Sequence, residues 1–136
     1  MITNKVEYLL RILIDLANCQ PEQYVLSRDI ARRRNIPPKY MPQLMAVLTG
    51  EGWVESVRGA RGGVRLAADP QKLTVHDVIN VAGDGLTIKK CVSETFSCPS
   101  KGDCVLLPVW QKAQTALVKS MHETTLDYLA AADRAR

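Results

Sequence analysis

The spacing of apolar positions predicts a mainly helical chain with one short β-hairpin. Met41, Leu44, Met45 and Leu48 recur at the i, i+3, i+4 and i+7 period of an amphipathic helix. The same period predicts a first helix, whose apolar stripe is Val6, Leu9, Leu10, Leu13, Ile14 and Ala17. Between these helices, Ser27 is a suitable N-cap for a third helix, in which Ile30 and Ala31 face inward.

The stretch from Ser27 to Leu66 reads as helix, turn, helix and hairpin. Pro37 and Pro38 end one helix and can open the next, so the helix-turn-helix covers about 27–50. Two strands rich in branched residues follow over about 53–66, joined by the basic, glycine-rich tip 58–63. This is the winged-helix arrangement, which places one helix in a major groove and the hairpin tip on the DNA backbone or minor groove. The alternative is an ordinary helical domain with one solvated loop.

The second half of the chain predicts three further helices. Thr74 and Asp77 form a capping-box pattern ahead of a helix that buries Val75, Val78, Ile79 and Ala82. A long helix runs from near Leu106 to about Glu123, and a short one follows Thr125. Because the apolar face of such a long helix needs a partner, we expect a symmetric homodimer. The predicted organisation is a winged-helix domain over 1–82, a cysteine-containing loop over 83–105, and a dimerisation helix with a short C-terminal helix over 106–136.

Charge is placed unevenly along the chain. Residues 1–66 hold 10 Lys and Arg against 6 Asp and Glu, whereas residues 67–136 hold 8 of each class. The positive excess thus coincides with the predicted winged helix, as expected for a nucleic-acid-binding surface. No apolar run is long enough for a membrane span, and Lys5, Glu7 and Arg11 interrupt any signal-peptide core. We therefore expect a cytoplasmic protein with reduced thiols and no membrane association.

Three cysteines stand close together at Cys91, Cys98 and Cys104, in a polar stretch interrupted by Pro99. Thiolates on one loop can hold zinc, copper(I) or an iron–sulfur cluster, because these are soft centres. The spacing matches neither a zinc ribbon nor a ferredoxin, and three thiolates leave one coordination position open. The alternative is a set of unrelated reduced thiols. Cys19, at the end of the first helix, is typical of a small core residue.

Several of these segments together resemble one family. The segments are Lys39–Leu44, Gly52–Gly59 with the Gly62 and Gly63 pair, the three cysteines in this order, and Trp110. They identify the chain as similar to the IscR/NsrR-like members of the Rrf-two family of bacterial winged-helix regulators. The resemblance implies a homodimer that binds palindromic operator DNA, as a repressor. It also implies that the cysteine triad holds a 2Fe-2S or 4Fe-4S cluster, through which iron, redox state or nitric oxide controls DNA binding.

The chain departs from the family pattern in two places. Some members carry a histidine ligand three residues after the third cysteine, where this chain has Leu107. Other members recruit an acidic residue from the first helix of the partner subunit, and the matching position here is Glu7. Glu7 is therefore either the fourth ligand or an ordinary solvent-facing residue. Pro42 replaces a glutamate that related proteins use in base discrimination, so their sequence preference does not transfer.

Candidate DNA contacts follow from the winged-helix geometry. The start of the recognition helix reaches base edges, where Gln43 can pair with adenine and Lys39 with guanine or a phosphate. Arg58 matches the family's minor-groove arginine. The full candidate set is Ser27 and Arg28 for the backbone, Pro38, Lys39, Tyr40 and Gln43 for the recognition helix, and Arg58, Arg61 and Arg65 for the wing.

The sequence is consistent with three alternative functions to different degrees. A cluster-sensing transcriptional regulator accounts for the wing, the charge asymmetry, the cysteines and the long helix together. A cluster-free or zinc-bearing thiol-sensing regulator of the same fold is the alternative. A redox enzyme accounts only for the cysteines, and the glycines over 59–63 lead into a strand rather than the helix of a nucleotide-binding motif. We therefore expect neither an enzyme nor a small-molecule substrate.

Overall fold

Helices and the hairpin follow one another as the apolar pattern predicts. The structure is a computed structural model, and it describes residues 2–59, 62–83, 85–89, 92 and 104–136. The elements are α1 (Asn4–Ala17), α2 (Ser27–Arg33), α3 (Met41–Gly50), β1 (Val54–Val57), β2 (Gly63–Leu66), α4 (Val75–Val81), α5 (Leu107–Glu123) and α6 (Leu126–Arg134). The predicted fold class, mainly α with a β-hairpin wing, is confirmed.

The first helix is the centre of the core. α1 contacts α2, α3, α4, α6 and β2, so it is covered on more than one side. Ile12 and Leu16 are consequently buried together with the predicted Val6, Leu9 and Leu13. The predicted stripe was incomplete: its other members, Leu10, Ile14 and Ala17, are half-buried against the core, but it omitted Ile12 and Leu16.

The helix-turn-helix is built by α2, a turn and α3. Ser27 is the first residue of α2 and makes no cap hydrogen bond, because extended Leu26 occupies the N-cap position; the predicted Ser27 cap was wrong. Asn35, with φ of 55°, reverses the chain after α2, and a single 3₁₀ turn over Pro38–Tyr40 leads into α3. α3 buries Met41, Leu44 and Leu48, as its period predicted.

The hairpin is short and tied to the helices. β1 and β2 pair antiparallel with Val54 opposite Leu66 and Val57 opposite Gly63. β2 also forms a bridge to Val25 in the linker before α2, with the two backbone N–H···O bonds between Val25 and Val64 both at 2.8 Å. This bridge fixes the wing relative to the start of α2.

Helices α4 and α6 complete the core. The predicted capping box of α4 is present, with the Thr74 hydroxyl accepting from the Asp77 N–H and the Asp77 carboxylate accepting from the Thr74 N–H. The sequence offers Thr124 or Thr125 as the cap of α6; Thr125 is the N-cap, and α6 packs against α1. The first and last helices of the described chain therefore lie side by side.

Candidate nucleic-acid interface and candidate metal centre

One surface groove brings the predicted DNA-contacting elements together. The groove has a volume of about 270 Å³, and its lining comes from the start of α2, the start of α3 and both strands. Its lining residues are Ser27, Arg28, Pro38, Met41, Pro42, Met45, Ser56 and Val64. Three of the nine candidate DNA contacts, two from the backbone pair and one from the recognition helix, thus share one surface with the wing.

The start of the recognition helix exposes its polar side chains. Lys39 and Gln43 are exposed, and Tyr40 retains 41% of its accessible surface. The Lys39 Nζ lies 5.1 Å from the centre of the Tyr40 ring, and that ring stacks on Tyr8 of α1 with centroids 5.9 Å apart. The stack links α1 to the residues that would reach base edges, and it keeps Tyr40 from turning freely.

The cations of the wing are in two different states. Arg58 is exposed at the end of β1. By contrast, the Arg65 guanidinium donates to Glu55 at 2.8 Å, lies 3.6 Å from Glu22, and stacks over the Tyr24 ring at 4.9 Å. Arg58 is therefore more available to an incoming phosphate than Arg65. Arg61 lies outside the described residues.

Charged residues of the helix-turn-helix form a network that the sequence pattern did not indicate. The three consecutive arginines that end α2 differ in exposure: Arg32 keeps 79% of its side-chain surface accessible, Arg33 43% and Arg34 23%. Arg33 and Arg34 turn toward Asp15 of α1, a carboxylate with 3% exposure. The one sequence signal for this pairing is Asp15 itself, a charged residue three positions after Ile12 in an apolar helix, together with two arginines far along the chain.

Two of the four cysteines, Cys19 and Cys104, lie within the described residues. Cys91 and Cys98 lie outside the described residues, whereas Cys104 is half-buried immediately before α5. Cys19 is half-buried at the end of α1, where its thiol donates to the Asp15 carbonyl at 3.2 Å. Burial, reinforced by the Asp15 charge, raises the pKa of the Cys19 thiol, so this sulfur is a poor thiolate ligand. Within the described ranges, no three His, Cys, Asp or Glu side chains converge on one point.

The segment that leads to Cys91 is fastened to α5. The Gln114 amide donates to the Leu86 carbonyl, and its oxygen accepts from the Ile88 N–H at 2.9 Å. Cys104 lies three residues before the same helix, and its carbonyl accepts from the Leu107 N–H at 3.3 Å, so described residues on both sides of the cysteine-containing stretch contact α5.

The two positions at which family members carry a fourth ligand differ here in chemistry and exposure. Leu107 is buried and has no donor atom. Glu7 is exposed on α1, and its carboxylate accepts from Arg11 at 3.4 Å. Glu7 is therefore open to a neighbouring molecule, provided that its weak surface pair with Arg11 is given up.

No helix among the described residues has both the length and the apolar character that crossing a bilayer requires.

Comparison with known proteins identifies one group of regulators. Residues 2–132 match the family model Rrf2, described as an iron-dependent transcriptional regulator. Protein rrf2 of Nitratidesulfovibrio vulgaris is 32% identical over 125 residues, covering 92% of this chain and 83% of the relative. The HTH-type transcriptional regulator NsrR of Bacillus subtilis is 31% identical over 133 residues, covering 98% and 84%.

Solved structures show the same fold. CymR, the global cysteine regulator of B. subtilis, has a TM-score of 0.78 and 30% identity, with 96% of each chain covered. IscR of T. potens has a TM-score of 0.73 and 31% identity, covering 100% of this chain and 90% of that one. The relatives named here are transcriptional regulators and not enzymes.

Proposed function

Since this chain belongs to the Rrf2 family of transcriptional regulators, we propose that it binds operator DNA as a homodimer under the control of an iron–sulfur cluster. Cys91, Cys98 and Cys104 of each subunit hold the cluster, and Glu7 of the partner subunit completes it. The regulator acts as a repressor that reports iron, redox or nitric-oxide status.

The groove between α2, α3 and the wing is the observation that carries DNA binding. It places Ser27 and Arg28 at a helix start, where backbone N–H groups and a cation suit a phosphate. Gln43 and Lys39 present an amide and an ammonium one helical turn apart, the groups that pair with adenine and guanine edges in a major groove. Arg58, exposed directly after β1, is the wing cation available to a minor groove.

The donor chemistry fits an iron–sulfur cluster. Three thiolates are the ligands that such a cluster prefers, and Gln114 holds the entry to the cysteine stretch on the helix that Cys104 precedes. When bound, the cluster supplies a centre that reacts with oxidants or nitric oxide. The chain's part is to keep three sulfurs together and to offer Glu7, a hard oxygen ligand that exchanges more readily than sulfur on a soft centre.

A homodimer is supported by exposed apolar side chains at the start of α5. Val105 retains 86% of its accessible surface, and Leu106 and Val109 are also exposed. Neighbouring exposed apolar residues of this size are typical of a contact surface. The assignment of Glu7 as a ligand from the partner subunit requires that this contact bring the cysteine stretch of one chain near α1 of the other.

Spectroscopy of anaerobically purified protein tests the cluster. Wild type should be coloured and contain iron and sulfide. Cys91→Ala, Cys98→Ala and Cys104→Ala should each lose most of the visible absorbance, because each removes a direct ligand. Cys19→Ala is the matched control and should keep it, since that thiol is bonded within α1. Full iron content in Cys98→Ala would refute the triad.

Glu7→Ala tests the fourth ligand. We expect this variant to assemble the cluster but to lose it faster in air or with a nitric-oxide donor, with a shifted spectrum because one ligand has changed. Glu51→Ala, an exposed acid at the end of α3, is the control for lost negative charge. If Glu7→Ala matches wild type in spectrum, cluster lifetime and DNA affinity, Glu7 is only a surface residue.

A cluster-free regulator that senses thiols, or cysteine itself, is the second candidate. It is favoured by the likeness to CymR, whose described role is global cysteine regulation. This candidate predicts a colourless, iron-free protein under anaerobic conditions, with DNA affinity that responds to cysteine or to thiol oxidation.

A further inference from the structure

An ion network joins three helices beside the helix-turn-helix. At its centre is Asp15 of α1, which has only 3% exposure. Arg33 donates to its carboxylate through Nε at 3.1 Å and Nη2 at 2.6 Å, and Arg34 donates through Nε at 2.8 Å. A carboxylate this buried depends on such partners, since an unpaired charge there would be strongly unfavourable.

The same Arg34 also holds the C-terminal helix. Its Nη1 and Nη2 donate to the two carboxylate oxygens of Asp133 in α6, each at 3.0 Å. This is the parallel two-bond geometry that matches a guanidinium to a carboxylate. Arg34 therefore uses three nitrogens on two carboxylates that belong to different helices.

Asn18, at the end of α1, reinforces the junction. Its side-chain amide donates to the Ala130 carbonyl at 3.2 Å and to Asp133 Oδ2 at 3.0 Å, while its oxygen accepts from Arg134 at 2.6 Å. α6 is thus attached to α1 and to Arg34 at once, and the three groups cannot move independently.

Arg34 lies where α2 ends and the turn of the helix-turn-helix begins. It is the C-cap of α2, and its carbonyl accepts from Arg11 at 3.3 Å. The next residue, Asn35, has the positive φ that redirects the chain toward α3. The geometry at Arg34 therefore sets how α2 and α3 are oriented relative to each other.

We propose that Asp133, in the C-terminal helix, is a positioning residue for DNA reading, because it fixes Arg34 and through it the turn between α2 and α3. Asp133 itself touches no DNA. This inference rests on the proposed DNA-binding function and not on the cluster, and every variant is compared with wild type purified anaerobically in the same way.

Two substitutions on α6 with the same charge change test the proposal. Asp133→Asn breaks the pair with Arg34, whereas Asp127→Asn alters an exposed aspartate on the same helix. Each removes one negative charge and so raises the net charge by one, which by itself strengthens binding to DNA. Two DNA probes are used: a duplex that wild type selects from a random pool, and a random-sequence duplex of equal length. Circular dichroism verifies that both variants are folded.

For Asp133→Asn we expect affinity for the selected duplex to fall by about 5- to 100-fold, the usual range of coupling between two sites. Affinity for the random duplex should stay level or rise. Asp127→Asn should bind both duplexes at least as well as wild type. A merely structural role would lower the melting temperature and leave the ratio of the two affinities unchanged, and that result would overturn the proposal.

Two further variants complete the experiment: one keeps the positive charge at residue 34, and the other keeps the carboxylate at residue 133. Arg34→Lys keeps the charge but cannot form the two-bond pair, so it should lower the same ratio. Asp133→Glu keeps the carboxylate and should recover most of the selective binding. If Asp133→Asn does not fold, Arg34→Lys is the deciding variant. An unchanged ratio of its affinities for the selected and the random duplex overturns the proposal.

Discussion

The arginines in the basic half of the chain differ in whether their guanidinium group is already paired with a carboxylate. Arg33, Arg34 and Arg65 are each held by carboxylates within the described structure, whereas Arg58 is exposed and Arg32 has a single surface partner, Asp29. A guanidinium that is already paired must give up that pair before it contacts DNA. Counting basic residues therefore overstates the charge available to the phosphate backbone.

Arg58→Ala should reduce affinity for a selected duplex by about 10-fold or more, the usual loss for an arginine that enters a groove. Arg32→Ala is the matched control, since it removes the same charge from an exposed position outside the wing. Fluorescence anisotropy with labelled duplexes measures both. Equal losses in the two variants would contradict the assignment of Arg58 to the minor groove.

At the level of the structural elements, a glycine allows the wing to lie against the linker before α2. Gly63 has φ of 146°, and a Cβ at this position would lie 2.6 Å from the Val25 carbonyl oxygen. Gly59, at the other end of the tip, has φ of 114° but no heavy atom within 4 Å of such a Cβ. The backbone of β2 can approach the linker before α2 only because residue 63 lacks a side chain.

Gly63→Ala should therefore destabilise the protein by more than Gly59→Ala. The latter adds backbone strain alone, of order 1–3 kcal/mol, and the former adds a clash with Val25. Thermal unfolding of the two variants compares them directly. A larger loss of stability in Gly59→Ala would show that the contact between wing and linker is not the limiting one.

The sequence predicted elements better than the contacts between them. Local periods and caps located α3, α4 and the hairpin, because these signals depend on neighbouring residues. The burial of Ile12 and Leu16 was missed, since α1 packs against α4 and α6, which lie far along the chain. Asp15 was missed for the same reason, because its partners lie 18 and 19 residues away. Cys104 is the one cysteine of the triad that the structure describes, so the triad as a ligand set stays a prediction.

At the level of the whole molecule, acid should weaken the junction between α6 and the helix-turn-helix. The Arg34 hydrogen bonds hold the pKa of Asp133 below its ordinary value of 3.8. The unfolded chain then takes up a proton more readily than the folded one, so stability falls as the pH drops.

The Asp133→Asn variant makes this effect measurable. Its melting temperature should lie furthest below that of wild type near neutral pH. The gap should begin to close below about pH 4, where Asp133 of the unfolded chain protonates, and should close fully once the pH falls below the lowered pKa of the folded carboxylate. Circular dichroism over a pH series gives both curves. A gap that stays constant down to acid pH would exclude an ionic contribution from Asp133.

Assembly is the second whole-molecule prediction. Sedimentation velocity should show a dimer both free and on a selected duplex, with half-sites roughly 34–36 Å apart. If the dimer neutralises about eight phosphates, log K should fall with log salt at a slope near −7. A monomer under both conditions, or a slope near zero, would contradict this mode of binding.

The contact between the first and last helices also bears on how the protein is made. Asn18 and Asp133 are bonded although 115 residues separate them. At the usual synthesis rate of about 5–20 residues per second, α1 waits roughly 6 to 23 s on the ribosome before α6 exists to cover it. During that interval an apolar face is open to chaperones, and the turn between α2 and α3 lacks the carboxylate of Asp133. An unfinished chain is therefore expected to be a poor competitor for the operators that the complete protein controls.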